Sequence, residues 1–520
     1  MLDKLFGYKV HSFLHVLGMS VLAFGIPFNK VLMSIGAIWG VSNLVLERDF
    51  KTYWSNIKKN NSFKWLLAFC ALHLIGLCWS SDTTFGLHDL KIKLPLLAVP
   101  LALTARPIEN RNQLHLIFYS LIISLIFTSL LNFGFHKQWF GYKQYTDIRQ
   151  LSLFGSHIRY GITIALGSGI CLYLMFFRKS IIPIFIWAII FGWFSFYTFY
   201  SQILSGILSF VIILIVFILY VTYKYNKYNK YIPVFVVTLT ITSIYGMYYY
   251  IKPSDKTKIS ISNLPQKTKE GNRYQHDLKN QNRENNEFVY LTYCDYELER
   301  EWSKRSNIPY FKKDLKGQMI RNTLMRYLTS LNKSKDGVGI QQLTTSDILN
   351  IENGIASVEL LKPGILSRIN GIKYQLENDF DPNGHSILQR LEYWKTGINI
   401  IQQNWIFGVG TGDVQLAFDQ QYEKEKSILL TKNRLRSHNM YITIWITFGI
   451  LGLVIFMGFI YSYFKFNLQN RELFPLLFIP VIVVTFFIED TLETQMGVSI
   501  IALFIGLFMT KIKEDEHSHY

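Results

Sequence analysis

Charge is scarce in this chain. Only 17% of its 520 residues are Asp, Glu, Lys or Arg, where a soluble domain carries about 25%. Cysteine is scarcer still, with four residues (Cys70, Cys78, Cys171 and Cys294), which excludes a disulfide scaffold. None belongs to a Cys-x-x-Cys pair, so zinc and dithiol redox sites have no support. Three of the four lie in apolar runs and read as small buried hydrophobes. P-loop, His-Glu-x-x-His and Gly-x-Ser-x-Gly sequences are missing too, and neither a cofactor nor a metal is expected. Apolar surface is what the chain has in abundance: 50% hydrophobic and 16% aromatic residues, with mean hydropathy +0.19. That excess excludes disorder and points to lipid as the main solvent.

The charge that remains is lopsided. Fifty-three Lys and Arg face 36 Asp and Glu, a formal net charge of +17. No nucleic-acid-binding motif accompanies it, so no nucleic-acid partner is expected. Cytoplasmic loops rich in Lys and Arg, and anionic substrates or membrane lipids, account for such a balance in a membrane protein.

A crossing helix needs about 20 apolar residues. Candidate spans cover 11–28, 30–46, 64–80, 89–104, 112–134, 156–177, 180–200, 202–222, 231–251, 438–464, 472–488 and 495–511. The fold class is therefore an all-α polytopic membrane protein of about 12 transmembrane helices. The fourth span is short and starts with Lys91 and Lys93, so a tilted or interfacial helix fits it equally. One set of connections holds Lys4, Lys9, Arg48, Lys51, Lys58, Lys59, Lys64, Arg106, Arg111, Arg178, Lys179, Lys224, Lys227, Lys230, Lys465, Arg471, Lys511 and Lys513; the alternate set holds little beyond Lys30, Lys137, Lys143 and Arg149. The first set is expected to be cytoplasmic, with both termini inside. No signal-peptide cleavage site is read at the N-terminus.

The expected organisation follows. Residues 1–251 form an N-terminal bundle of about nine spans. One large external segment, 252–437, separates spans nine and ten. Residues 438–511 supply the last three spans and 512–520 a cytoplasmic tail. Within the external segment, 252–340 predict loops and short helices. Around 385–425, Ile387, Leu388, Leu391, Trp394, Ile398 and Ile401 recur at helical spacing; Gly408, Gly410 and Gly412 then break the helix, and Asp413 is placed to cap the next one. The Lys-Tyr-Asn repeat at 224–231 reads as a biased turn.

Ionisable groups at membrane depth are costly and usually face an interior. Four groups lie where spans meet the external segment. Arg159, with His157, opens the sixth span; it could snorkel to headgroups or face a phosphate. Arg390 lies on the amphipathic helix, where a solvated charge fits equally. Arg434, Arg436, His438, Asn439 and Tyr441 converge where the chain re-enters the membrane. They read either as interfacial anchors or as an anionic site with a histidine suited to proton transfer. Glu489, Asp490 and Glu493 share the turn between the last two spans, as solvated charges or as carboxylates that orient His438 or an acceptor hydroxyl. The Gly408–Asp413 stretch is not a nucleotide loop, because its spacing is wrong and no Lys-Ser/Thr follows. It reads as a tight turn exposing backbone N–H groups.

Arg390-Leu391-Glu392-Tyr393-Trp394, then Trp405-Ile406-Phe407-Gly408-Val409-Gly410-Thr411-Gly412, His438-Asn439-Met440-Tyr441, and Phe448-Gly449-Ile450-Leu451-Gly452-Leu453 form an ordered set. Together with the turn from Glu489 to Gln495 and Gly497, this set resembles the O-antigen ligase and polymerase family of bacterial membrane proteins. The resemblance implies a metal-independent glycosyltransferase in the inner membrane with its active site facing the periplasm. It implies an undecaprenyl-diphosphate-linked glycan as donor, and lipid A core or another hydroxyl as acceptor. It implies Arg390 as a diphosphate-binding cation and His438 as the catalytic histidine. Arg159, Arg434 and Arg436 join them as diphosphate-binding candidates, and Asn439, Tyr441, His157, Glu489 and Glu493 as supporting residues. The chain departs from the family at Leu204, within Gln202-Ile203-Leu204-Ser205-Gly206, where an Arg is expected; Arg159 is the candidate replacement. Ligation is favoured over polymerisation and protein O-glycosylation. A polysaccharide exporter and a non-catalytic assembly partner are the readings from other classes.

Overall fold

The computed structural model describes residues 7–141, 151–177, 180–225, 231–252, 264–362, 365–378, 382–383 and 385–512. Lys4, Lys143, Arg149, Arg178, Lys179, Lys227, Lys230, Lys513, most of the 224–231 turn and the tail from 513 lie outside the described residues. The chain divides into two compact units, 1–236 with 389–520, and 237–388.

Each of the predicted spans is a helix: α1 Tyr8–Gly25, α2 Lys30–Glu47, α4 Asn61–Ile75, α5 Thr83–Ala105, α6 Arg111–His136, α7 His157–Phe176, α8 Ile181–Tyr200, α9 Leu204–Tyr225, α10 Tyr231–Ile251, α18 Met440–Asn470, α19 Leu473–Ile488 and α20 Gln495–Leu507. A short α3, Phe50–Lys59, joins α2 to α4. Among the described residues, 8 helices are long and apolar enough to cross a membrane, and the protein is a multi-pass membrane protein. The helices α19 and α20 are shorter, at 16 and 13 residues. In α5 the charges Asp89, Lys91 and Lys93 interrupt the apolar run.

Short polar side chains set where the helices begin. Asn29, Asn60, Asp82, Asn110, Asn439 and Thr494 each accept a bond from a first-turn N–H, which satisfies donors that no carbonyl can reach. Asp82 starts α5 six residues before the hydropathy does. Small residues then let backbones approach. A Cβ on Gly206 of α9 would lie 2.9 Å from the Gly161 carbonyl of α7, so these two helices meet close to Arg159. The core of this unit is aromatic, with Phe69, Phe118, Tyr173, Phe474, Phe478 and Phe504 buried together. The cysteines are mixed: Cys171 and Cys294 are buried, but Cys78 is exposed, because it sits in the 3-10 turn that ends α4 rather than in a packed span.

The second unit is built from short pieces: α11 Asp295–Trp302, α12 Ile320–Ser330, α13 Gly337–Gln341, α14 Thr345–Glu352 and α15 Ile365–Glu377. A two-residue hairpin joins β1 (Arg283–Glu284) and β2 (Glu287–Phe288). Its turn residues Asn285 and Asn286 both have positive φ, as such a turn requires. Trp302, Tyr310, Leu324, Tyr327 and Ile351 form its own apolar core.

Two further helices return to the first unit, α16 Ser386–Gln403 and α17 Val414–Lys424. The face of α16 that packs holds Tyr393, Thr396, Gly397, Ile400 and Ile401, rotated from the expected apolar stripe; Leu391 and Ile398 are exposed. Gly397 explains the rotation. A Cβ there would lie 2.8 Å from Ile442, so the bare backbone seats α16 against α18.

Candidate functional site

The tight turn after α16 performs a structural task. Gly449 interrupts α18 with φ 65° and ψ −163°, a conformation open to glycine. The break frees carbonyls in the middle of an apolar helix, where water cannot satisfy them. The turn supplies the donors: Val409 N–H bonds Ile446 O at 2.8 Å and Gly410 N–H bonds Thr447 O at 2.9 Å. In return Ile450 N–H bonds Trp405 O at 2.9 Å. The exposed N–H groups of the glycine turn are therefore spent on a broken helix. Asp413 stands one residue before α17 but does not cap it. Its carboxylate accepts from Ser81 N–H at 2.8 Å and Asp82 N–H at 2.8 Å, tying the turn to the start of α5.

The three carboxylates that follow α19 are buried rather than solvated. Glu489 is 3% exposed, Asp490 5% and Glu493 9%. Such groups need partners, and each has them.

Glu489 gathers side chains from three distant segments. Its Oε1 is 2.5 Å from Nη2 of Arg159, on the first turn of α7. Its Oε2 is 3.7 Å from Nη2 of Arg390 on α16 and 3.7 Å from Nδ1 of His438. Both separations are too long for hydrogen bonds; Arg390 faces Glu489 as an ion pair, and His438 does so only when protonated. Burial raises the Glu489 carboxyl, but His438, Arg159 and Arg390 outweigh it and hold the group below its ordinary value.

Asp490 fixes the backbone of His438. Its Oδ2 accepts the His438 N–H at 2.9 Å, and its Oδ1 accepts Thr443 Oγ1–H at 2.8 Å. His438 has φ 48°, a conformation that costs a side-chain-bearing residue energy and is found at functional sites when its surroundings enforce it. The helix α16 completes the support. The Tyr393 ring lies 5.7 Å from the His438 ring, and Trp394 Nε1–H donates to Ser437 O at 3.0 Å. The Arg390–Trp394 segment thus brings both a cation and the wall behind the histidine.

Glu493 organises a second buried group. It pairs with Arg436 at 2.6 Å and Lys93 at 2.8 Å, and Lys93 pairs with Asp89 at 2.5 Å, one turn back on α5. Burial raises the Glu493 carboxyl, and Lys93 and Arg436 more than reverse this, leaving it below its ordinary value. Burial pushes the Asp490 carboxyl between the two groups up, and nearby Glu493 adds to the rise.

The other expected residues have plainer placements. Asn439 caps α18, accepting from Tyr441 N–H at 3.0 Å. The Tyr441 hydroxyl donates to Val483 O at 2.9 Å, joining α18 to α19. His157 is the first residue of α7, two before Arg159. Arg434 donates to Leu429 O at 3.2 Å, and its described contacts do not reach Glu489 or Glu493. Leu204 opens α9, next to the Ser205 hydroxyl that bonds Ile158 O. The position of the missing Arg is thus one residue from a contact with the neighbour of Arg159.

Neither Asp89 nor Lys93 is among the expected site residues; Lys93 reads from sequence only as a charge at the start of the fourth span. The signal was available: opposite charges four residues apart on one helix face, inside an apolar run where charge is costly.

No curated protein matches the chain. Residues 344–457, which hold Arg390, the glycine turn, His438 and Gly449, match the family model described as O-antigen ligase.

Proposed function

We propose that the protein transfers a glycan from a polyprenyl-diphosphate donor to an acceptor hydroxyl at the periplasmic face of the inner membrane, most simply ligation of O-antigen to lipid A core. One observation carries the reading: Arg159, Arg390 and His438 meet around the buried Glu489. Diphosphate leaves readily once its developing charge is stabilised. Arginine does this with paired N–H contacts, and preorganised electrostatics is usually the largest catalytic contribution. Arg159 and Arg390 take that role. Arg434 adds positive charge where the chain re-enters the membrane, whereas Arg436 is paired with Glu493.

His438 acts as the general base. It accepts the acceptor's O–H proton as that oxygen attacks the anomeric carbon. The bond from that carbon to the diphosphate breaks, and the electron pair departs with the polyprenyl diphosphate. The imidazolium formed faces Glu489, which stabilises it as a carboxylate does in other histidine-based sites. Glu489 is thus a positioning residue that holds both cations and the base. Arg159 supplies the second cation that Leu204 does not.

Cell-envelope extraction from a deletion strain tests the reading. Accumulated lipid-linked polymer with unglycosylated acceptor is the expected result. Single-unit glycans mean polymerisation instead, and donor trapped on the cytoplasmic side means export and refutes glycosyl transfer.

A further inference from the structure

A second, basic site lies away from the carboxylates just described. A cleft of about 920 Å³ opens between the start of α4, the last third of α18 and the segment after α20. Lys59, Lys64, Lys465 and Lys511 line it, all exposed, and among the described residues no Asp or Glu does. Among the described residues none of the four is ion-paired, and Lys64 bonds only the neutral Asn61 side chain at 3.1 Å. Uncompensated cations facing one cleft attract an anion.

The cleft is built and not merely open surface. Asn60 Nδ2 donates to Met509 O at 2.7 Å, and the Ser62 and Ser462 hydroxyls are 3.2 Å apart, fixing the floor. A Cβ on Gly458 would lie 2.7 Å from the Trp65 ring, so Trp65 lies against bare α18 backbone. Trp65 and Tyr461 are partly exposed beside the lysines, the arrangement of residues at a membrane–water interface.

Its depth follows from helix geometry. Counting along α18 from its break at Gly449, Tyr461 to Gln469 lie roughly 18–30 Å further on at 1.5 Å per residue. The apolar core of a bilayer is about 30 Å thick. The cleft therefore sits at the opposite membrane boundary from His438.

We propose that the cleft binds an anionic phospholipid, with its headgroup phosphate among the four lysines and its acyl chains beside Trp65 and Tyr461. The charge complementarity, the aromatic flank and the depth all select a lipid over a soluble partner. The assignment does not use the glycosyl-transfer reading, and only the leaflet's identity rests on the Lys/Arg topology.

The test uses the full chain in phosphatidylcholine nanodiscs, titrated with phosphatidylglycerol or inorganic phosphate and read by native mass spectrometry and thermal unfolding. Phosphatidylglycerol should be retained and should raise the unfolding midpoint, whereas phosphate at equal concentration should not. A basic residue near an anionic lipid surface contributes about 1 kcal/mol, or about fivefold in affinity. The double variant Lys59→Gln/Lys465→Gln should then bind phosphatidylglycerol about 25-fold more weakly, and the control Lys312→Gln/Lys424→Gln should match wild type. Should the double variant not fold, Lys465→Gln alone should show about a fivefold loss. Unchanged affinity in the cleft variants, equal retention of phosphatidylcholine, or equal stabilisation by phosphate would each overturn the assignment.

Discussion

Replacing Glu489 by Gln keeps the side chain's shape and removes its charge. Arg159 at 2.5 Å and Arg390 at 3.7 Å lose a counter-charge, and His438 at 3.7 Å loses the carboxylate that stabilises its imidazolium when it takes a proton. For an imidazolium 3.7 Å from a carboxylate, Coulomb's law at an effective dielectric of about 20 gives about 4 kcal/mol. The His438 side chain is 30% exposed, and water screens part of this, leaving about 2–3 kcal/mol in the transition state. That converts to a loss of roughly 30- to 150-fold in kcat. Stability should fall as well. Breaking a buried ion pair costs about 3–5 kcal/mol, and partial exposure of both arginines points to the lower end. Transfer from purified lipid-linked donor to purified acceptor measures the first effect, and thermal unfolding in the same detergent the second. Glu489→Asp keeps the charge and should recover stability more fully than rate. A Glu489→Gln protein that transfers at the wild-type rate would refute the argument.

Three other outcomes follow from the same geometry. Arg390→Lys should lose most of the activity, since an ammonium cannot make the paired contact, and Arg159→Ala should lose as much; a fully active Arg159→Ala enzyme would remove that residue from the site. Gly449→Ala should destabilise the fold, because a Cβ would lie 2.0 Å from Ile406 O and the backbone conformation alone costs about 1–3 kcal/mol; an unchanged unfolding midpoint would show that the helix break is dispensable. On acidification, Glu489 should contribute full stability above the ordinary carboxylate range and lose it only as the pH falls through its lowered folded value. Asp490, whose carboxyl is raised, works in the opposite sense, and comparing Glu489→Gln with wild type across pH isolates the Glu489 share.

The spans were legible because hydropathy records the solvent directly, and each predicted segment is helical. The start of α5 was not, since Asp82 begins the helix in polar sequence and Lys93 is neutralised by Glu493, 400 residues away. Local windows hold no such partner. The buried face of α16 was misread for a related reason: Gly397 carries no hydrophobicity, yet it is where the neighbouring helix approaches. Of the site, the residue types and their crowding at one boundary were readable, as was the alternative that the 489–493 carboxylates orient His438. That Glu489 joins both cations to the histidine, while Arg436 turns to Glu493, depends on which rotamers the packed helices allow. The glycine turn was readable as a turn, but its partner was hidden, because nothing near Gly408 in sequence announces a break at Gly449.

The proposed mechanism depends on His438 as the base. The direct measurement is the rate of glycan transfer by His438→Ala, with purified donor and acceptor and EDTA present, alongside retention of the lipid-linked donor. The expected loss is about 10²–10⁴-fold, the usual worth of general acid–base catalysis, with donor retention unchanged and EDTA without effect on wild type. A His438→Ala protein that matches wild type would make the histidine an interfacial anchor only, and transfer abolished by EDTA would shift the chemistry to Glu489, Asp490 and Glu493 and contradict the mechanism.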